Sequence, residues 1–199
     1  MTDITPTRSV VLEMKEERRA MHDGYVFLDE KCLLLAGEML RELERYHEHR
    51  RRFLAAWRSA IDALQAAVAR HGLHGLLVYP APESAARVAH ASRGLMGVRL
   101  LEATLEGDTG LAPPAVDPSH EAHACRAAFS TLLAAAAPLA ASTGNLERLA
   151  LEYRRSVRRA RALQDVLVPE IDRDVADLEA RFEELEQEDA IFMAWGRQA

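Results

Sequence analysis

Apolar residues recur every three or four positions over two long parts of the chain, one near each end. The first part runs from about Val11 to Val68 and the second from about Leu146 to Phe192. Steps that average near 3.5 residues keep one helix face turned toward a partner, as in coiled coils. The pattern predicts two long helices that fold back on each other. Rods of this kind usually transmit or position, and they seldom carry out chemistry.

The first apolar stripe follows Thr5 and Pro6, which predict a helix N-cap and a first helical position. No proline interrupts positions 7 to 79, so the helix could reach roughly 95 Å at ~1.5 Å per residue. Cys32 falls on the stripe and is interpreted as a buried small hydrophobic residue. The stripe consists of Val11, Met14, Arg18, Met21, Tyr25, Leu28, Cys32, Leu35, Met39, Leu43, Tyr46, Phe53, Trp57, Ile61, Leu64 and Val68.

Glycine and proline residues punctuate the middle of the chain. His71-Gly72 predicts a helix stop, and Pro80 and Pro82 follow it closely. The run from Leu95 to Leu105 predicts a short strand or hairpin. A loop is predicted around Pro113, Pro114 and Pro118, and a short helix from His120 to Leu133.

The second stripe allows two positions for the start of its helix. Asn145 is a candidate N-cap, or the helix continues from about His120. Pro169 lies inside the stripe and predicts a local bend, because the apolar pattern continues on both sides of it. The stripe consists of Leu146, Leu149, Tyr153, Val157, Ala160, Leu163, Leu167, Ile171, Val175, Leu178, Phe182, Leu185 and Phe192.

These patterns predict an all-α fold, a long antiparallel two-helix coiled coil with a small irregular middle segment. Residues 1–71 form its N-terminal helix and residues 145–199 its C-terminal helix. Residues 72–144 form the middle segment, with a possible short β-hairpin and a short helix.

Composition narrows the class of protein. The formal net charge of −6 argues against non-specific nucleic-acid binding. The longest uncharged stretch, Ala127–Asn145, is mostly alanine and includes Pro138, so we do not expect it to insert into a membrane. The N-terminus carries charges where a signal sequence would be apolar, and two cysteines form no disulfide framework. A reducing, cytoplasmic location fits best.

Charges along the second stripe are banded. From Arg148 to Arg161 there are six arginines against one acid, and from Asp165 to Asp189 there are eleven acids against two arginines. The first stripe has a similar basic zone at Arg41, Arg45, Arg50, Arg51, Arg52 and Arg58. Its Arg50–Arg58 part is expected to face Arg154–Arg161 in an antiparallel fold. The pattern suits a solvated face or, alternatively, a basic collar that binds an acidic partner surface.

Candidate metal and catalytic groups are weak. His120, His123 and Cys125 could supply zinc ligands, but a helix would point Cys125 away from the histidines. His47 and His49 are interpreted as solvated. Glu44 and His47 form a single Glu-x-x-His pair, without the second copy that a di-metal bundle enzyme needs. No phosphate-binding GxxxxGK[ST] loop occurs. We therefore predict no metal, no cofactor and no catalytic activity.

Several short motifs occur in order along the whole chain. They are Pro6-Thr7-Arg8, Val11-Leu12, Met14-Lys15, Gly24, Leu28 to Lys31, Met96-Gly97-Val98, Arg161-Ala162-Leu163 and Val168-Pro169. Together they resemble the D subunit, the central rotor shaft of the V-type and A-type rotary ATPases. Each motif is weak alone, and their order makes the resemblance fairly specific. Asp29, Glu30, Cys32 and Arg161 depart from the family pattern.

The resemblance implies a torque-bearing shaft of an ion-translocating ATPase or ATP synthase, in the cytoplasm and peripheral to the inner membrane. Its implied partners are the catalytic and regulatory nucleotide-binding subunits, the F subunit of the central stalk and a socket subunit on the membrane rotor ring. A free-standing coiled-coil adaptor, of chaperone or secretion-apparatus type, is the alternative. The candidate partner-contact residues are Pro6, Thr7, Arg8, Lys15, Lys31, Met96, Gly97, Val98, Arg154, Arg155, Arg158, Arg159 and Pro169.

Overall fold

The computed structural model describes residues 7–77, 79–80, 86–107 and 115–196. Its elements are helix α1 (Arg8–Leu77), strand β1 (Arg87–Leu95), strand β2 (Val98–Glu106), helix α2 (His120–Ala162), a π-helical turn (Leu163–Leu167) and helix α3 (Val168–Gly196). The predicted long helices near the two ends and the predicted hairpin between them are confirmed. Pro82, Pro113 and Pro114 lie outside the described residues.

The described residues form two units. The terminal unit contains the chain up to Leu34 and from Tyr153 onward, and the central unit contains Leu35–Glu152. Each unit has its own buried residues and its own polar contacts, so each is considered separately below.

Helix α1 starts and breaks close to the predicted places. Thr5 and Pro6 lie outside the described residues, and Thr7 acts as the N-cap because its hydroxyl accepts a hydrogen bond from Val10 N at 3.4 Å. At the other end, Gly72 adopts φ 68° and ψ 164°, which is not helical. The predicted stop at His71-Gly72 is therefore a kink, after which the helix continues to Leu77.

In the terminal unit, the first part of α1 runs antiparallel to the end of the chain. Lys15 forms an ion pair with Glu179, and Arg18 Nη1 lies 3.8 Å from Asp172 Oδ1. Further along α1, Leu163 Cδ1 is 3.8 Å from the position of a Cβ on Gly24. Residues later in α1 therefore contact residues earlier in the C-terminal part of the chain, as expected for antiparallel helices. The buried apolar side chains are Val11, Ala160, Ile171, Val175 and Leu178.

The π turn keeps the second stripe on one side of the helix. Leu163 and Ile171 are eight positions apart, so in a regular α-helix their directions would differ by about 80°. A π turn accommodates about one more residue per turn, which removes most of that difference. Pro169 contributes, because it cannot donate the N–H that a regular helix needs at its position. The departure from α-helical geometry therefore lies just before Pro169, and the helix passes through the proline.

In the central unit, β1 and β2 form a two-stranded antiparallel hairpin in which Leu95 pairs with Val98 and Arg87 with Glu106. The register leaves Met96 and Gly97 as a two-residue turn, with φ of 47° and 84°. Positive φ at both positions is typical of a type I′ turn, whose twist matches that of the strands. Val98 and Leu100 are buried on one face of β2. The hairpin is longer than the predicted strand and starts at Arg87.

Helices α1 and α2 contact each other in the same unit. His49 Nδ1 lies 2.8 Å from Ser142 Oγ, and His71 Nε2 lies 2.5 Å from Ser119 Oγ. Helix α2 starts at His120, so the second of the two predicted starts is the observed one and Asn145 is inside the helix. The prediction that His49 is solvated is wrong.

Burial follows the predicted stripes with specific differences. Leu43 and Trp57, placed on the first stripe, are 40% and 48% exposed, whereas Glu38 and Glu42 are almost completely buried. Near the end of α3, Leu185 and Phe192 are exposed. Cys32 is half-buried. The buried side of α1 is shifted in the central unit because the hairpin covers the carboxylate side.

The continuous helix from His120 to Met193 contains a stretch that is long and apolar enough to cross a membrane by length and composition. Two side chains at the end of the uncharged stretch Ala127–Asn145 bond to protein groups. Ser142 bonds His49, and Asn145 bonds Leu101. These buried polar contacts favour packing of this part of α2 against protein.

Candidate functional site

Two glutamates of α1, Glu38 and Glu42, point into the central unit, and each is at most 3% exposed. They are four residues apart and therefore share one helix face. Arg41 Nη2 donates to Glu38 Oε2 at 2.8 Å, and Arg45 Nη1 donates to Glu42 Oε2 at 2.9 Å. Arg93 of β1 also donates to Glu38. The arginines compensate the cost of burying two carboxylates.

The contacts of Glu38 determine its protonation. Burial would raise the pKa of the Glu38 carboxyl group, but the hydrogen bonds from Arg41 and Arg93 and the charges of both arginines outweigh this effect. The pKa of Glu38 is therefore below its usual value. The carboxylate is charged at neutral pH and holds the hairpin through Arg93.

Asn145 of α2 binds the backbone of β2 much as a neighbouring strand would. Its Oδ1 accepts a hydrogen bond from Leu101 N at 2.8 Å, and its Nδ2 donates to Leu101 O at 2.8 Å. The same Nδ2 donates to Glu42 Oε1 at 3.2 Å, and Arg148 donates to Oδ1 at 2.8 Å. One buried amide thus links α1, α2 and the hairpin. Glu38, Glu42, Arg93, Leu101 and Asn145 are called the hairpin anchor below.

A cavity of about 250 Å³ lies beside the hairpin anchor. Arg45, His49, Glu102 and Thr104 contribute polar groups to its wall, and Pro138 and Ala141 contribute apolar ones. Among the described residues, Arg148 Nε is buried without a hydrogen-bond partner. The cavity is large enough for several waters. The hydrogen bonds of the hairpin anchor hold the hairpin against α1 and α2.

A second polar cluster closes the far end of the central unit. His71 bonds Ser119, and its Nδ1 lies 3.6 Å from Asp117 Oδ2. Tyr79 donates to Asp117 O at 3.3 Å and accepts from Ser119 N at 3.2 Å. Ser, His and Asp also occur in hydrolase triads. Here Ser119 Oγ accepts from Ala122 N at 3.1 Å and so caps α2, which indicates a structural role.

The predicted contact residues occupy several separate places. Met96, Gly97 and Val98 form the turn of the hairpin and the start of β2, with Met96 39% exposed and Val98 buried. Within the terminal unit, Lys15 pairs with Glu179 and Lys31 is half-buried.

The remaining candidates lie at helix ends and among four arginines of α2, Arg154, Arg155, Arg158 and Arg159, called the arginine band below. Pro6 is outside the described residues, Thr7 caps α1 and Arg8 is exposed at its start. Pro169 is half-buried, and its carbonyl accepts from Arg173 Nε at 3.0 Å. The arginine band is exposed at Arg154, Arg155, Arg158 and Arg159.

The described part of the chain contains no cluster of side chains arranged to bind a metal ion. No group of three or more His, Cys, Asp or Glu side chains there could hold an ion. Burial raises the pKa values of the Cys32 and Cys125 thiols, with Asp29 contributing at Cys32. Both thiols are therefore mainly protonated at neutral pH and are poor ligands.

The hairpin anchor was not found from the sequence. Glu38 and Glu42 lie among Leu35, Met39 and Leu43 and look like the solvated flank of a helix stripe. One feature of the sequence could have indicated the anchor, because Asn145 is a polar residue at the end of a long uncharged stretch. Its bonding partner is a strand backbone far away in sequence, so spacing within the helix could not identify it.

Long helices near both ends, and a hairpin held to α1 and α2 by buried polar contacts, are typical of a structural helical protein. Comparison with known proteins agrees. The family model of the ATP synthase D subunit matches residues 10–195, and the chain belongs to this family. Its members are structural subunits of the complex and are not catalytic.

Two curated relatives resemble the chain over nearly its whole length. The D subunit of the V-type ATP synthase of Thermotoga neapolitana is 24% identical over 196 residues, covering 94% of this chain and 93% of the relative. The D subunit of the A-type ATP synthase of Methanopyrus kandleri is 26% identical over 195 residues, covering 96% and 84%.

Proposed function

We propose that this chain is the central rotor shaft of a V/A-type ion-translocating ATPase or ATP synthase. It transmits torque between the membrane rotor ring and the nucleotide-binding head. Membership of the D-subunit family over residues 10–195 carries the proposal. The family also favours a component of a membrane-associated complex over a free-standing adaptor.

A shaft must resist bending and twisting, and packed antiparallel helices supply that stiffness. We propose that α1 and the C-terminal helix pair as an antiparallel coiled coil. The Lys15–Glu179 and Arg18–Asp172 contacts support this arrangement in the terminal unit. Such exposed ion pairs contribute at most about 1 kcal/mol each, so the buried apolar stripe provides most of the stabilisation.

The end of α3 favours insertion of the paired termini into the ring of catalytic and regulatory subunits. Ile191, Phe192, Met193 and Trp195 are 60–81% exposed. A cluster of exposed large apolar side chains marks a surface that another protein covers. We place the head contact at this tip. The contacts with the F subunit and with the socket protein on the rotor ring lie lower on the shaft.

The arginine band is proposed as a basic collar that a partner's acidic surface contacts. Arg154, Arg155, Arg158 and Arg159 are exposed, and Arg154/Arg158 is a like-charged i,i+4 pair that weakens an isolated helix slightly. A complementary acidic surface would relieve that repulsion. Long arginine side chains also permit contact without locking the shaft in one position.

Co-purification tests the rotor assignment directly. The tagged full chain should bring down the nucleotide-binding subunits and a small stalk protein, and complex assembled without it should lose ATP-driven ion transport. If the chain retrieves none of these proteins, the rotor proposal is wrong. For the collar, the double variant Arg154→Glu/Arg158→Glu should bind one of the co-purified partners at least tenfold more weakly with unchanged helicity. The charge-preserving control Arg154→Lys/Arg158→Lys should bind nearly as well as the parent.

A further inference from the structure

Four exposed apolar side chains surround one carboxylate on α1 in the terminal unit. Val26, Phe27, Leu33 and Leu34 are 41%, 57%, 69% and 46% exposed, and Glu30 lies three or four residues from each of them. Residues at these spacings are neighbours on one helix face. These five residues are called the docking face.

The docking face has the width of a face that packs against another helix. At about 100° per residue, its apolar members span about 120° of the helix surface. The half-buried residues of the same segment lie on the other side, and they are Gly24, Tyr25, Leu28, Lys31 and Cys32. The terminal unit thus covers one side of α1 and leaves an equally apolar side in water, where exposed large apolar patches mark interaction sites.

Charge identifies the kind of occupant. Glu30 is exposed at the centre of the face and forms no ion pair with another described residue, and Asp23 is exposed one to two turns earlier on the same side. A second copy packed on this face would bring the two Glu30 carboxylates together, or Glu30 toward Asp23 of the other copy, and both arrangements are repulsive. A partner with apolar side chains around a lysine or arginine would satisfy both features.

We propose that the docking face binds an amphipathic helix of another subunit of the same complex. That helix places apolar side chains against Leu33 and Phe27 and a basic side chain on Glu30. Repetition of the face after seven residues, from Val26 to Leu33 and from Phe27 to Leu34, matches the spacing at which helices interlock. The inference rests on the proposed function, because it takes the occupant from the same assembly.

The test titrates each separately purified soluble subunit of the complex onto the full chain by calorimetry. Leu33→Asp and Glu30→Lys should each weaken binding of one subunit at least about tenfold, the range of an interface hot spot. Leu73→Asp is the matched control, because Leu73 is 64% exposed on the same helix and lies far from the face. It should change that affinity less than twofold. Glu30→Gln should make the affinity less dependent on salt.

Several outcomes would overturn the proposal. If the parent chain binds a subunit and Leu33→Asp binds it equally well, the docking face is wrong while the rotor assignment stands. If the parent binds no subunit, the rotor assignment itself fails. If sedimentation shows that the parent self-associates and Leu33→Asp does not, the occupant is a second copy. Circular dichroism must show the same helicity in all variants.

Discussion

Replacing Asn145 with alanine should release the hairpin from the helices. The substitution removes the two hydrogen bonds to the Leu101 backbone and those with Glu42 and Arg148. A buried polar group without a partner costs about 1–3 kcal/mol. The adjoining cavity of about 250 Å³ can admit water to some of these groups, so the four losses are not additive. We expect the free energy of unfolding of the central unit to fall by about 2–4 kcal/mol.

Tryptophan fluorescence can report the central unit alone. The chain has two tryptophans, of which Trp57 lies in the central unit and Trp195 in the terminal unit. With Trp195→Phe in every variant, urea unfolding followed at Trp57 measures the unit that contains the hairpin anchor. Hydrogen exchange at the Leu101 amide provides a local measurement, since that amide donates to Asn145.

A control lies two residues from the site. Thr143 is exposed, and its hydroxyl donates only to Leu139 O of its own helix at 2.8 Å. Thr143→Ala should change the free energy of unfolding by less than about 0.5 kcal/mol. The reasoning is refuted if Asn145→Ala costs no more than this control, or if Leu101 exchanges at the parent rate in the variant.

Further predictions concern charge, turn geometry and thiol reactivity. Because the pKa of Glu38 is lowered in the folded state, its stabilisation is present above the unfolded pKa and is lost as pH falls through the folded one. Urea titrations below about pH 4.5 should therefore show a shallower loss of stability in Glu38→Gln than in the parent. Gly97→Ala should lower the free energy of unfolding by about 1–2 kcal/mol because Gly97 has a positive φ. This strain acts alone, since no neighbouring atom lies within 4 Å of a Cβ at that position. Met96→Asn should instead stabilise the turn and raise the melting temperature in thermal unfolding. Cys32 and Cys125 should react with a thiol reagent more slowly than free cysteine at pH 7.5 and accelerate on unfolding, because their pKa values are raised; equal rates would contradict this.

The sequence predicted the helices well because their stripes are long and regular. It located the hairpin only by its second strand, since β1 reads RVAHASRGL and lacks the alternation of a half-buried strand. The Met96-Gly97 turn carries the clearest hairpin signal, because Gly97 accepts a positive φ at no steric cost.

Burial of Glu38 and Glu42 could not be predicted from the helix pattern. Their buried state depends on Arg93 and Asn145, which the chain brings close only after the hairpin and α2 have formed. Local spacing determines which residues share a helix face. It does not determine which faces a distant strand will cover.

The π turn at Leu163–Leu167 has a consequence for tolerance to changes in chain length. It accommodates about one residue more than a regular helix would, so deleting a single residue here would restore a regular helix and leave α3 in nearly its present rotational position. The same deletion in the regular part of α2 would turn every later side chain of the helix by about 100°. In a shaft that works as proposed, a residue can therefore be lost from the π turn while each contact is still made at the same point of a revolution, whereas a loss from the neighbouring regular turns would shift that timing.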